Sequence, residues 1–265
     1  MENYINEQLI QIEKKHNVNV LFAVEAGSRA WGIESPESDY DVRFVYIRKK
    51  DYYLRLETIN DSIVWKADKK LENRLDMTGW DIQKALRLLF ISNPSIIEWI
   101  HSPITYKSTL KFTGFRALTE EYFSQSRCLN HYLNTAKLDI RNIAGTDVVK
   151  VRKYLYAIRA ILNCIYIMKY NAPPVAVFSE LIEAAAPKDV VSLIDDLVSK
   201  KKSADLCETD RIEKVDEFLN SYLKKCQEFC KTIEKNKIYT WDSLNDFFLE
   251  LLSVEINVHS IQKFR

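Results

Sequence analysis

Glycine and proline are scarce, with five and six in 265 residues. An all-β sandwich turns too often to be built from so few, so helix should dominate. No run of 18 apolar residues occurs, and the N-terminus does not pair a basic start with an apolar stretch. Neither a membrane span nor a secretory signal is therefore expected. A charge excess of one sign is also missing: 38 Lys and Arg stand against 37 Asp and Glu, a formal net of +1. That balance excludes a chain that wraps duplex nucleic acid by its overall charge, while leaving room for a local basic groove. The five cysteines (Cys128, Cys164, Cys207, Cys226, Cys230) form no CxxC pair and no Cys/His zinc spacing. An odd, unpatterned set reads as free thiols in a reducing compartment. Together these absences point to a soluble, cytoplasmic protein.

Apolar material is plentiful, at 47% hydrophobic against 28% charged, which suffices for a core and excludes a disordered chain. Ile5, Leu9 and Ile12 make a helical stripe over residues 3–15. Strand patterns follow only in the first third, at 18–24, 41–48, 62–66 and 74–78. From Asp81 the period turns helical through Ile82, Ala85, Leu86 and Leu89, with Asp81 placed to cap that helix. Asn93-Pro94 ends it, and a short helix carrying Ile96, Ile97 and Trp99 stops before Pro103. Beyond 112 every segment reads as helix, at 115–143, 147–170, 178–202, 208–235 and 240–255. The expected class is α+β, with a small mixed-sheet head over 1–112 and a C-terminal helical bundle over 113–265.

The chemistry concentrates in the head. Gly27-Ser28 follows an apolar strand, and ten residues later Asp39-Tyr40-Asp41 opens a second one. Residues two apart on a strand share a face, so both carboxylates project together. Such a pair repels itself unless a cation neutralises it, and an oxygen-only donor set suits Mg²⁺. Gly27 lets the backbone approach a phosphate, and turn N–H groups with the Ser28 hydroxyl can donate to its oxygens. Arg29 and Arg43 lie close enough in the chain to screen the remaining charge. A third acid on a neighbouring strand completes a two-metal site for an NTP. Asp76, between Leu75 and Met77, fits that position, and Asp81 competes for it.

A second basic signal runs over Lys150-Val151-Arg152-Lys153-Tyr154-Leu155-Tyr156-Ala157-Ile158-Arg159. Lys153, Tyr156 and Arg159 recur at helical spacing and can reach the triphosphate or an acceptor's phosphates. Equally, the helix can pack Leu155, Ile158 and Leu162 inward and leave solvated cations outside. Trp31 and Trp80 read as core aromatics or as walls of the site. His101 and His131 have no partner at metal or triad spacing and read as structural.

The Gly-Ser turn, the Asp-x-Asp strand and the later third acid resemble the DNA polymerase beta-like nucleotidyltransferase superfamily. More narrowly, GSRAWGIESPESDYDVRFVYI, GWDIQKALRLL, NPSIIEWIHSPITY and KVRKYLYAIRAIL together resemble the RlaP-type nucleotidyltransferases associated with RNA repair. The resemblance spans residues 20–170. It implies a polymerase beta-like head, with Gly27 and Ser28 on the nucleotide turn and Asp39, Asp41 and Asp76 on two Mg²⁺ ions. It also favours the nucleotide-binding reading of Lys153, Tyr156 and Arg159. The expected reaction moves NMP from an NTP to an acceptor hydroxyl and releases pyrophosphate, with Asp76 nearest that hydroxyl. An RNA end, of tRNA or of broken RNA, is the acceptor the resemblance favours. A protein hydroxyl, an aminoglycoside-like molecule, or NTP sensing without transfer are the alternatives.

Overall fold

The computed structural model describes residues 1–57, 60–66, 74–203, 207–233 and 239–253. The chain opens with helix α1 (Glu2–His16), which buries Ile5, Gln8, Leu9 and Ile12 on one stripe and ends at Asn17 in the left-handed conformation. Strand β1 (Asn19–Ala26) leads into one turn of helix, α2 (Gly27–Ala30), and then β2 (Tyr40–Ile47). A short α3 (Lys50–Tyr53), β3 (Ser62–Lys66) and β4 (Leu75–Asp81) precede α4 (Ile82–Phe90), α5 (Pro94–Ile100) and β5 (Thr105–Ser108).

The five strands form one mixed sheet in the order β3-β4-β2-β1-β5. Only β2 and β4 run parallel; the other neighbours are antiparallel. Being central and covered on both faces, β1 is apolar almost throughout instead of alternating. One face carries Val20, Ala23, Val42, Phe44 and Met77 under α1. The other carries Phe22, Val24, Val45 and Ile47 under α4 and α5. A register shift between Val20 and Phe22 lets Leu21 and Phe22 both join the second face.

The remaining chain is α6 (Phe112–Tyr122), α7 (Gln125–Ile143), β6 (Val148–Lys150), α8 (Val151–Tyr170), α9 (Phe178–Ala185), α10 (Lys188–Ser203), β7 (Glu208–Asp210), α11 (Glu213–Thr232) and α12 (Asp242–Ser253). The α+β class is therefore correct, with a five-stranded mixed sheet followed by helices. Three details differ from the expectation. The helix expected over 115–143 is two, α6 and α7, because the backbone at Ser124 leaves the helix and its side chain caps α7 at Arg127 N–H. The segments expected at 147–170 and 208–235 begin with strand, since β6 and β7 pair antiparallel. β5 was not expected at all. The expected ends at 235 and 255 lie outside the described residues.

The largest apolar cluster crosses residue 112, joining Phe22 and Val24 of β1 to Phe115, Leu129 and Leu244. A second cluster is centred on α8, which buries Leu155, Ile158 and Leu162. Among the described residues no helix is long and apolar enough to cross a membrane, and all five cysteines are free thiols.

Candidate active site

The parallel pairing sets the site. β2 and β4 align Asp41 with Asp76, Val42 with Met77 and Arg43 with Thr78. Val42, Phe44, Leu75 and Met77 face the core under α1. By alternation Asp41, Arg43, Asp76 and Thr78 face the other way, at the strand ends beyond the reach of α4. Asp41 and Asp76 are thus brought side by side from 35 residues apart. Arg43 lies between them, its Nη2 2.9 Å from Asp41 Oδ1 and 2.8 Å from Asp76 Oδ2.

Gly27 stands against the same group. It adopts φ 62°, and a Cβ there would lie 2.3 Å from Asp41 Oδ2. Only glycine allows the turn after β1 to approach the acid this closely. The turn starts α2 with no side chain capping its first N–H groups. Arg29 does not point its charge at the acids. It donates to the carbonyls of Ser38 at 2.8 Å and Asp39 at 3.0 Å and stacks on Tyr40, fixing the loop that carries Asp39.

Burial pushes the Asp41 carboxyl above its ordinary range, Arg43 draws it back, and the charges of Asp76 and Asp39 add to the rise. The three acids therefore share one field. Among the described residues no three His, Cys, Asp or Glu side chains converge closely enough to hold a metal ion. The donor chemistry nonetheless suits one: hard oxygens only, mutually repelling, with a guanidinium supplying the neutralising charge. Asp39, Asp41 and Asp76 are the residues that would hold Mg²⁺.

Asp81, the competing third acid, is engaged elsewhere. It is buried, caps α4 by accepting from Gln83 N–H at 2.9 Å, and takes a hydrogen bond from the Tyr53 hydroxyl at 3.0 Å. Its neighbour Trp80 stacks on Trp99.

The three α8 residues part company. Arg159 is buried, pairs with Glu98 at 3.1 Å and stacks on Trp31 at 4.0 Å. Tyr156 meets the edge of the same indole. Both line a cavity to which Trp31, one helical turn from Gly27, also contributes. Lys153 does not line it; its ammonium donates to the Asn142 carbonyl on the surface.

Two participants went unseen in the sequence. Glu25, fully buried on β1, accepts the backbone N–H of Asp41 at 2.6 Å and the Tyr106 hydroxyl. Burial pushes its carboxyl up to about 7, partly offset by those two bonds. An acid next to the Gly-Ser turn was a visible signal, but Tyr106 lies 81 residues away. Lys201 of α10 is likewise buried and donates to Ser38 Oγ at 3.3 Å, inside the loop before Asp39.

Residues 1–250 match the family described as "RlaP: RNA repair pathway DNA polymerase beta family". The chain belongs to the RlaP family. It is 32% identical over 252 residues to "Uncharacterized protein YcgL" of Bacillus subtilis (strain 168), covering 94% of this chain and 95% of that one. A nucleotidyltransferase-like protein from Exiguobacterium sibiricum 255-15 aligns at 15% identity and a TM-score of 0.34, over 92% of this chain and 79% of the other. RlaP membership makes this a nucleotidyltransferase-type enzyme of the polymerase beta class, and the family's description sets it in RNA repair.

Proposed function

We propose that the chain is a Mg²⁺-dependent nucleotidyltransferase that transfers NMP from an NTP to a hydroxyl at an RNA end and releases pyrophosphate. The observation that carries this reading is the juxtaposition of Asp41, Asp76 and Gly27 around one point at the ends of the central strands. When bound, Mg²⁺ supplies positive charge for the triphosphate and lowers the pKa of an attacking hydroxyl.

The chain's own groups do the rest. Gly27 lets the turn pass directly against Asp41, and Ser28 with the uncapped N–H groups of the turn donates to the β- and γ-oxygens. Asp76 is the more exposed of the paired acids and takes the proton of the acceptor hydroxyl. Arg43 balances the acids and can turn to the leaving pyrophosphate. Arg29 keeps Asp39 in place. Tyr156 and Arg159 bind the nucleotide from the helical side, and the exposed cations Lys150, Arg152 and Lys153 offer the RNA backbone its contacts.

Each of four α-labelled NTPs, mixed with Mg²⁺ and total RNA, tRNA or protein extract, tests the reading. Label should enter RNA, and Asp41→Asn should reduce that transfer at least ~10³-fold with the fold kept, because charge positioning supplies most of the rate. Transfer by Asp41→Asn near the wild-type rate would sink the assignment. Label in protein would reassign the acceptor.

A further inference from the structure

Positive charge is not spread evenly over the head. Residues 14–16, 48–57 and 62–66 hold seven Lys and Arg against two acids, in a chain whose formal net is +1. The rest of the chain is therefore net negative. Lys14, Lys15, Lys49, Lys50 and Lys66 are exposed, and none of them enters an ion pair among the described residues.

Contacts join these segments into one surface. The end of α1 meets β3 where Lys15 Nζ lies 4.9 Å from the centre of the Trp65 ring, with His16 against the same ring edge-on. The His16 carbonyl accepts from Arg48 Nη1 at 3.2 Å, which carries the surface to the end of β2. Arg48 covers the Tyr52 ring of α3 at 4.2 Å, and Arg55 lies over that ring at 5.1 Å. Cations and rings thus alternate across it. Cation–π attraction holds these charges in place before any partner arrives, which lowers the ordering cost of binding.

Helix electrostatics explain only part of this. Lys14 and Lys15 complement the C-terminal end of the α1 dipole. Lys49 and Lys50 instead stand at the start of α3, the end of a helix that disfavours a cation. Charges that crowd and repel in this way are neutralised by a polyanion. β2 links the surface to the acids, with Asp41 near its start and Arg48 just past its end. At about 3.3 Å per residue the two lie roughly 23 Å apart, the length of several stacked nucleotides.

We propose that this surface binds the phosphate backbone of the RNA acceptor while the acceptor's end lies at Asp41 and Asp76. The proposal rests on the RNA-end reading above and adds where the body of that RNA docks.

Fluorescence anisotropy of labelled RNA with the full chain, over a range of salt, tests it. The variant carries Lys14→Gln, Lys15→Gln, Lys49→Gln and Lys50→Gln. Its RNA affinity should fall at least ~10-fold, and its slope of log affinity against log salt by roughly three, at about 0.7–0.9 per phosphate contact. Transfer to RNA should show a raised KM with kcat kept, and calorimetric binding of an NTP with Mg²⁺ should match wild type. Lys49→Gln with Lys50→Gln, which leaves α1 and both rings untouched, should give about half the change in slope. RNA affinity equal to wild type in both variants overturns the surface and leaves the RNA-end reading standing. Leu54 and Leu56 are exposed beside Arg55, so vesicles of anionic phospholipid run in parallel. Binding to vesicles and not to RNA overturns the proposal. Label that wild type transfers to protein and never to RNA overturns both readings.

Discussion

Asp41 donates its backbone N–H to the Glu25 carboxyl at 2.6 Å, so a buried acid on β1 holds the strand position that presents the second acid of the Asp-x-Asp pair. Burial raises the Glu25 carboxyl from 4.5 to about 7. Between those values the folded chain keeps a proton that the unfolded chain releases. The stability this group contributes is thus fully present below pH 4.5 and is lost as pH rises toward 7. The loss is roughly 3 kcal/mol as an upper bound. Denaturation curves from pH 4 to 8 should show Glu25→Gln with a flatter profile than wild type; parallel profiles would rule out this titration.

Arg43 is the cation between Asp41 and Asp76. In Arg43→Gln the two carboxylates face one another unscreened, which should cost about 1 kcal/mol at these partly exposed positions. Millimolar Mg²⁺ should then raise the melting temperature of the variant more than that of wild type. Equal shifts with and without a chelator would argue that the acids do not take the ion.

Gly27→Ala meets two penalties, a left-handed backbone and a Cβ driven into Asp41 Oδ2. The backbone term alone costs about 1–2 kcal/mol. Nucleotide transfer should fall further than stability does, since relief of the clash displaces Asp41. A single-turnover transfer assay run beside urea denaturation separates the two effects.

Arg159→Met should destabilise the chain by about 2–4 kcal/mol, because Glu98 loses its buried cationic partner. Trp31 loses the stacked guanidinium at the same time. Thermal melting in a Trp31→Leu background, which offers no ring to stack on, reads the ion pair alone. A change under 0.5 kcal/mol would mean that water replaces the guanidinium freely.

The elements legible in the sequence were those with a period of their own. The stripe of α1, the apolar β1, and α4 with its Asp81 cap needed no distant partner to be read. β5 is four polar or half-exposed residues that become a strand only by pairing with β1. The break between α6 and α7 carries neither glycine nor proline; Ser92 Oγ accepts the Ser124 N–H at 2.9 Å, from 32 residues away, and supports the break. In the site, the Gly-Ser turn and Asp-x-Asp pair stood out by spacing, and the alternation around Asp76 identified its face. The parallel alignment of Asp41 with Asp76 did not, because strand partnership leaves no local trace. Asn163 sits in the apolar stretch Ala160–Ile167 of α8 and is distinguished only by what surrounds it.

Trp31 caps the turn after β1 through its backbone N–H and lines the cavity beside α8 with its indole. Its carbonyl also accepts the Phe178 N–H at 2.9 Å, at the start of α9. The Gly-Ser turn and the cavity beside α8 therefore meet in one residue. A ligand seated against the indole and a triphosphate at Gly27 would act on the same residue, and by linkage each changes the other's affinity by the same factor. A nucleoside and inorganic triphosphate offered as separate molecules should then show coupled binding, each reporting on the other through a single tryptophan.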